Sequence, residues 1–181
     1  MELIYKDIRG YEFVKVGKFI KKNGKSYTTD QGPNSVTLTV LIEFINDLFK
    51  KIDESVYAVL INDKNLVYIG EYSYNLKHRW IKGDDFAWHQ TVNKISDEID
   101  KKNCVSLWVI CDPFIEIEGK KINISKSIEH EILKEEIPSW NNKGKMAQHI
   151  EWRQNNCISM NRIIEEIDKY NDNCLEQRSH R

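Results

Sequence analysis

The chain has 181 residues and a formal net charge of −1, because 27 lysines and arginines are balanced by 28 acidic residues. This length suits one domain with a hydrophobic core, and the balanced charge argues against nucleic-acid binding driven by net charge alone. Four cysteines without a CxxC pair, no apolar run of membrane-spanning length and no signal-peptide pattern favour free thiols in a cytoplasmic protein.

Two β-rich segments and a predicted helix open the chain. Residues 11–16 and 18–20 are rich in β-branched and aromatic side chains, and a turn at 23–24 follows them. Apolar residues recur at helical spacing over residues 36–52, which predicts a helix whose apolar stripe lies in the core.

Five lysines are clustered in this N-terminal part of the chain, and a local basic surface can contact phosphate groups even when the total charge is balanced. The alternative is a solvated hairpin without such contacts. The five residues are Lys15, Lys18, Lys21, Lys22 and Lys25.

An apolar run, a polar turn and a second apolar run predict a β-hairpin over residues 55–70. The hairpin brings Tyr57 on its first strand close to Tyr68 on its second strand. Two phenol hydroxyls on a rigid element can serve as hydrogen-bond donors, acceptors or proton carriers.

Predicted helices and strands follow the hairpin, and two of the helices carry candidate site residues. In chain order they are a helix from residue 74 that carries Arg79, a helix near 91–102, a buried strand at 104–110, a small inserted hairpin at 114–124, a helix from residue 125 that carries Glu129 and ends before Pro138, and helices over 148–170.

These elements predict an α+β fold, in which a small three-stranded antiparallel sheet is flanked by helices. A β-hairpin and a helix form an N-terminal extension over residues 1–53. The core spans residues 54–145, with an insertion near 113–124, and residues 146–181 form C-terminal helices and a frayed tail.

Five short motifs occur in an order that resembles the GIY-YIG nuclease family. They stand where that family has Gly-Ile-Tyr, Tyr-Ile-Gly, Asn-Leu-x-x-Arg, a metal-binding glutamate and Pro-x-Tyr-Asn. The motifs are Ser55-Val56-Tyr57, Tyr68-Ile69-Gly70, Asn75-Leu76-Lys77-His78-Arg79, Glu129 and Pro138-Ser139-Trp140-Asn141.

The chain also departs from the family pattern. Ser55 replaces the first glycine, and one extra residue precedes Arg79. Many family members carry a histidine about one helical turn after the arginine, where this chain has Lys82 or Gly83. Lys82 and the next downstream histidine, His89, are therefore both candidates for an auxiliary catalytic role.

The resemblance implies a phosphodiester hydrolase that uses Mg²⁺ or Mn²⁺ bound by Glu129. Arg79 is expected to bind the scissile phosphate through bidentate hydrogen bonds. Tyr57 is expected to act as general base or water positioner, and Tyr68 to contact the phosphate or the nucleophile. Asn141 is expected to anchor the main chain of the site. Each residue alone has an ordinary structural explanation, and their joint occurrence favours a nuclease.

The expected function is a type II restriction endonuclease that cleaves double-stranded DNA, as a homodimer or by sequential nicking. The chain has neither the large extra domains of repair members nor the DNA-binding tails of homing members. The alternatives are a structure-specific repair or mobile-element nuclease, and a catalytically silent DNA-binding or protein-interaction module. The candidate DNA contacts are Lys15, Lys18, Lys21, Lys22 and Arg162.

Overall fold

The structure, a computed structural model, describes residues 3–23, 25–29, 36–83 and 85–142. The predicted helices of residues 146–181 and the candidate contact Arg162 lie outside these residues. The described residues belong to one compact unit, Met1–Asn142.

Strands dominate the described part of the chain. The strands are β1 (Tyr5–Ile8), β2 (Tyr11–Lys21), β3 (Tyr27–Thr29), β4 (Val36–Leu38), β5 (Val40–Phe44), β6 (Asp53–Ile61), β7 (Asn65–Asn75), β8 (Ile81–Lys82), β9 (Phe86–Ala87), β10 (Val105–Ile110), β11 (Phe114–Ile117) and β12 (Lys120–Asn123). The helices are α1 (Leu76–Trp80), α2 (Val92–Asp100), α3 (Ser125–Glu135) and a 3-10 helix (Asp47–Lys51). None of the described helices has the length and apolar character that crossing a membrane requires.

Eight strands form one antiparallel sheet in the order β7-β6-β10-β2-β5-β9-β8, with β1 paired to β2. The predicted fold, a small three-stranded sheet flanked by helices, is therefore wrong, because the described part of the chain is mostly β with few helices. The neighbouring strands β7, β6 and β10 are the three that the sequence predicted, but they form only one end of the sheet. Two separate hairpins, β3–β4 and β11–β12, complete the strands.

The predicted helix over residues 36–52 is also wrong, because this segment contains β4, β5 and the 3-10 helix. Its apolar residues fit a period of two as well as a helical period, since Val40 and Ile42 are both buried and alternate with more exposed neighbours. Their β-branched side chains favour a strand. The partner strand β2 then decides the outcome, pairing from Gly17 with Phe44 to Lys21 with Val40.

Strand β6 is buried on both faces of the sheet. Tyr57 and Val59 belong to the main hydrophobic core, together with Leu76 and Trp80 of α1. The alternate residues of β6 point to the opposite face, where α3 contacts β6 and β7. The connection β7–α1–β8 links the two ends of the strand order, so residues of β7, α1 and the segment after β9 lie near one another.

Candidate active site

The β6–β7 hairpin places the two candidate tyrosines on one face of the sheet. Tyr57 lies opposite Gly70, and Val59 lies opposite Tyr68. Residues directly opposite each other in an antiparallel pair share a face, so both phenol rings point into the same core. Their ring centroids are 5.9 Å apart and the rings are stacked.

Arg79 reaches this pair of tyrosines from α1, which begins directly after β7. The side chain of Asn75 caps the helix, its Oδ1 accepting a hydrogen bond of 2.8 Å from the backbone N–H of His78. Leu76 and Trp80 bury one side of this short helix. Arg79 Nε and Nη2 donate hydrogen bonds of 3.1 Å and 3.0 Å to the Tyr57 hydroxyl.

His89 contacts the same hydroxyl from the segment after β9. Its Nε2 lies 2.9 Å from the Tyr57 oxygen, and its ring stacks on Trp80 with centroids 4.3 Å apart. His89 Nδ1 lies 2.8 Å from the hydroxyl oxygen of Thr91 and 3.3 Å from its backbone nitrogen, so both ring nitrogens have hydrogen-bond partners. Burial, assisted by the positive charge of Arg79, lowers the pKa of His89 to about 3, so the ring is neutral at physiological pH.

The Tyr57 hydroxyl is therefore the shared hydrogen-bond partner of one imidazole and one guanidinium group. The Tyr57 side chain is 0% exposed. Burial raises the pKa of its phenol well above the usual range, and the nearby Tyr68 adds to this rise, while Arg79 opposes it. Tyr57 thus keeps its proton in the free protein and holds Arg79 and His89 in fixed positions.

The hydroxyl of Tyr68 accepts a hydrogen bond of 3.0 Å from Gln90 Nε2. The same hydroxyl also interacts with Tyr57 and Arg79. Gln90 lies directly after His89, so one short segment supplies a partner to each of the two tyrosines.

An open cleft of about 490 Å³ lies beside these residues. Arg79 and His89 form part of its wall, which places the charged guanidinium where a ligand from solvent can reach it. The other lining residues are Glu71, Tyr72, Ser73, Tyr74, Asn75, His78, Trp88 and Gln90.

The carboxyl group of Glu129 interacts electrostatically with Glu71 and Arg79, which both line this cleft. Glu129 lies on α3, which packs against β7. Burial, together with the negative charge of Glu71, raises the pKa of Glu129 to about 7, and the positive charge of Arg79 opposes the rise. Two carboxylates and a guanidinium that influence one another in this way lie in one neighbourhood.

This donor set fits the divalent cation that the family resemblance implies. The described residues contain no group of three or more His, Cys, Asp or Glu side chains arranged to hold a metal ion. Mg²⁺ does not require such a group, because it retains several waters and often binds one or two carboxylates plus substrate oxygens. Glu129, with Glu71 beside it, supplies oxygen donors of this kind.

Asn141 contacts the main chain next to Tyr68. Its Nδ2 donates to the Ile69 carbonyl at 2.8 Å, and its Oδ1 accepts from the Ile69 N–H at 3.1 Å. The backbone N–H of Trp140 donates to the Val67 carbonyl at 2.8 Å. Residues 140 and 141 thus supply hydrogen-bond partners to main-chain groups at the outer edge of β7, where an anchor of the site would act.

Most of the candidate DNA-binding lysines are engaged in ion pairs on the sheet. None of the four described ones, which include Lys22, is among the described residues that line the cleft of Arg79. Lys82 is closer to the cleft, with its ammonium 5.6 Å from the ring of Trp88. The ion pairs are Lys15 with Asp63 at 2.7 Å, Lys18 with Glu43 at 2.7 Å and Lys21 with Asp100 at 2.5 Å.

The structure adds residues that the sequence did not single out. Glu71 directly follows the Tyr-Ile-Gly motif, and its proximity to Glu129 depends on how α3 packs against β7. Gln90 and Thr91 directly follow His89, which was already a candidate. The polar run His89-Gln90-Thr91 could therefore have indicated them as further site residues. The partner of Gln90, however, is Tyr68 on the distant strand β7.

No family model matches the chain, and no curated protein or solved structure is significantly similar to it. The resemblance to GIY-YIG nucleases therefore depends on the motifs and on the positions of their residues.

Proposed function

We propose that this cleft hydrolyses phosphodiester bonds in DNA with the help of one divalent cation. The observation that supports this proposal is the arrangement around Arg79. Its guanidinium is held by the buried Tyr57 hydroxyl at the wall of an open cleft, and its charge interacts with that of Glu129. This chemistry requires a positively charged side chain to bind the phosphate, and next to it a carboxylate to bind the metal ion.

Arg79 is the proposed phosphate ligand. Its Nε and one N–H of Nη2 are directed at Tyr57, and Tyr68 also interacts with the guanidinium. The remaining guanidinium N–H groups are left for phosphate oxygens. Because Tyr57 holds the guanidinium in place, little side-chain entropy is lost when the phosphate binds. The guanidinium then offsets the negative charge that grows on the phosphoryl oxygens.

Glu129 is the proposed cation ligand, with Glu71 beside it. A bound Mg²⁺ or Mn²⁺ supplies charge neutralisation at the phosphate and stabilises the leaving oxygen. Glu129 must be ionised to serve as a ligand, and its pKa of about 7 makes its ionisation dependent on pH in the physiological range.

The two tyrosines receive different roles in this proposal. Tyr57 is fully buried, so its proposed role is to position Arg79 and His89, and a role as general base would require one of them to move away. We assign the hydroxyl of Tyr68, which also interacts with Tyr57 and Arg79, to the phosphate or to the attacking water. The neutral His89 is the second hydrogen-bond partner that Tyr57 holds in place.

We propose further that the enzyme is of the restriction type, and that a homodimer cuts both strands of a specific sequence. The elements outside the β6–β7–β10 part of the sheet support this proposal, because sequence recognition needs groups that enter a DNA groove. The β11–β12 hairpin is one such element, since all residues of β11 are exposed and Lys120 and Lys121 lie on β12.

The test is incubation of the protein with plasmid DNA and Mg²⁺. We expect discrete fragments from the wild type and none from Arg79→Ala or Glu129→Gln. Glu131→Gln is the matched control, because Glu131 lies on the same helix with an exposed side chain and pairs with Lys134. Degradation of the plasmid at random positions would contradict the proposal that the enzyme is of the restriction type. Inertness on duplex and branched DNA alike would contradict the nuclease assignment and favour a silent binding module.

A further inference from the structure

Two aromatic rings at the cleft have no role in the proposed hydrolysis. Tyr74 lines the cleft with 71% of its side chain exposed. Its ring meets the imidazole of His78 edge to face, with centroids 5.4 Å apart and an angle of 63° between the planes. An aromatic ring this exposed offers a flat surface that the protein itself leaves largely uncovered.

The position of this ring pair is fixed relative to Arg79. Tyr74 is the last residue but one of β7, and the next residue, Asn75, caps α1 through the N–H of His78. His78 directly precedes Arg79, whose guanidinium is held by Tyr57. The aromatic surface and the phosphate ligand therefore lie on one rigid strand–helix junction.

We propose that Tyr74 and His78 form a stacking site for a nucleobase that has left its base stack, next to the phosphate bound by Arg79. A nucleobase and its phosphate are joined through one sugar, so a cationic group and an exposed ring on one strand–helix junction match the two ends of a single nucleotide. Aromatic side chains bind bases of any sequence in this way. The substrate class is DNA with an unpaired or extruded nucleotide near the cleavage position. This proposal rests on the proposed nuclease function.

The charge of the protein supports stacking as a source of affinity. The net charge is −1, and the described lysines Lys15, Lys18 and Lys21 are paired with carboxylates. Since phosphate contacts alone supply limited affinity in such a chain, contacts to bases become more important. Trp88, which also lines the cleft, adds a further aromatic side chain to it.

The proposal is tested with DNA that carries 2-aminopurine, whose fluorescence falls when the base stacks on an aromatic ring. The full-length Glu129→Gln protein is used without metal, so that binding is measured in the absence of cleavage. The three probes are a single strand, a duplex with the 2-aminopurine in a one-nucleotide bulge and a fully paired duplex. We expect quenching and tighter binding with the first two probes. Quenching with the paired duplex as well would show that the protein extrudes the base itself.

Variants separate stacking from other effects. Tyr74→Ala should abolish the quenching and weaken binding of the bulged probe about tenfold, whereas Tyr74→Phe should retain both. Tyr5→Ala is the control, because Tyr5 is an exposed tyrosine of β1 outside the lining of this cleft. The exposure of Tyr74 makes a folding defect in Tyr74→Ala easy to exclude with a thermal melt.

The outcomes distinguish this proposal from the proposed function. DNA binding that depends on Arg79 but is unchanged in Tyr74→Ala, with equal affinity for paired and bulged probes, would overturn the stacking site and leave the nuclease proposal standing. The absence of DNA binding by all variants would overturn both.

Discussion

The hydroxyl of Tyr57 lies against Gly70, directly opposite it on the neighbouring strand. A Cβ at position 70 would be 2.7 Å from the Tyr57 hydroxyl oxygen and 2.9 Å from Cζ of the same ring. No side chain fits at this distance without moving the phenol. The glycine of the Tyr-Ile-Gly motif therefore leaves room for the phenol group that holds Arg79 and His89.

Substituting Gly70→Ala should displace the Tyr57 ring and disturb both of its hydrogen-bond partners. We expect a loss of about 1–3 kcal/mol in the free energy of unfolding, as is typical of overpacked cores. Cleavage activity should fall more than stability does, because the guanidinium of Arg79 loses its fixed position. Urea denaturation and the plasmid assay measure the two effects.

A double-mutant cycle with Tyr57→Phe identifies the contact responsible. Removing the hydroxyl takes away the atom nearest to the new Cβ, so the two substitutions together should cost less than the sum of their separate effects. Additivity to within about 0.5 kcal/mol would show that the methyl group does not act through the Tyr57 hydroxyl.

The stability of the protein should depend on pH through Glu129. Burial and Glu71 raise its pKa from an ordinary value of 4.5 to about 7, so between these values the folded state holds a proton that the unfolded state has released. Stability therefore falls as the pH rises through this window and is constant above it. Each pKa unit corresponds to about 1.4 kcal/mol, so Glu129→Gln should gain on the order of 3 kcal/mol above pH 7 and nothing below pH 4.

Denaturant titrations at several pH values measure this gain. Glu131→Gln serves as the control, because the hydrogen bond to Lys134 lowers the pKa of the exposed Glu131 carboxyl. A Glu129→Gln protein with no gain above pH 7 would show that Glu129 is not held in a strained, ionised state. Mg²⁺ should raise the melting temperature of the wild type but not that of Glu129→Gln.

His89 should remain neutral when the pH is lowered through the range in which histidines usually titrate. Its folded-state pKa of about 3 lies below the ordinary value of 6.5, so this group lowers stability as the pH falls below 6.5. His89→Gln should remove this loss, and its side-chain amide can still form a hydrogen bond with the Tyr57 hydroxyl. Ring ¹⁵N chemical shifts measured by NMR report the protonation directly, and a titration midpoint between pH 5 and 7 would contradict the burial of this ring.

Local patterns made the β6–β7 hairpin predictable. Its apolar runs and its turn are adjacent in sequence, and the proximity of Tyr57 to Tyr68 follows from the hairpin alone. The strand β5 was not predictable in the same way, because its apolar residues fit either period and its partner β2 lies about twenty residues away. Long-range pairing decided between two conformations that the local sequence left open.

The candidate site shows the same division between local and distant information. The order of the motifs led to Tyr57, Arg79 and Asn141. Tyr57 lies on the β6–β7 hairpin, and the other two residues contact it. The neutral state of His89 and the raised pKa of Glu129 depend on burial and on charges from other elements, which no local pattern encodes.

Asn141 should stabilise the outer edge of β7. Asn141→Ala would leave the N–H and the carbonyl of Ile69 without the partners seen in the structure, and each buried unsatisfied group costs about 1–3 kcal/mol. We expect a loss of about 2–4 kcal/mol and faster hydrogen exchange at the Ile69 amide. Asn93→Ala, at an exposed position of α2, should change stability by less than about 0.5 kcal/mol. Equal effects of the two substitutions would contradict the anchoring role of Asn141.

The DNA-binding surface should lie at the cleft and not at the lysines of β2. Lys18 is paired with Glu43, and such a pair releases few counterions when DNA approaches, since the carboxylate already balances the ammonium. Lys82 lies beside Trp88 at the cleft, with its ammonium 5.6 Å from the centroid of that ring. Lys82→Ala should therefore weaken DNA binding and reduce the slope of log affinity against log salt concentration by about 1. Lys18→Ala should change neither quantity, and the reverse result would move the DNA path to the N-terminal strands.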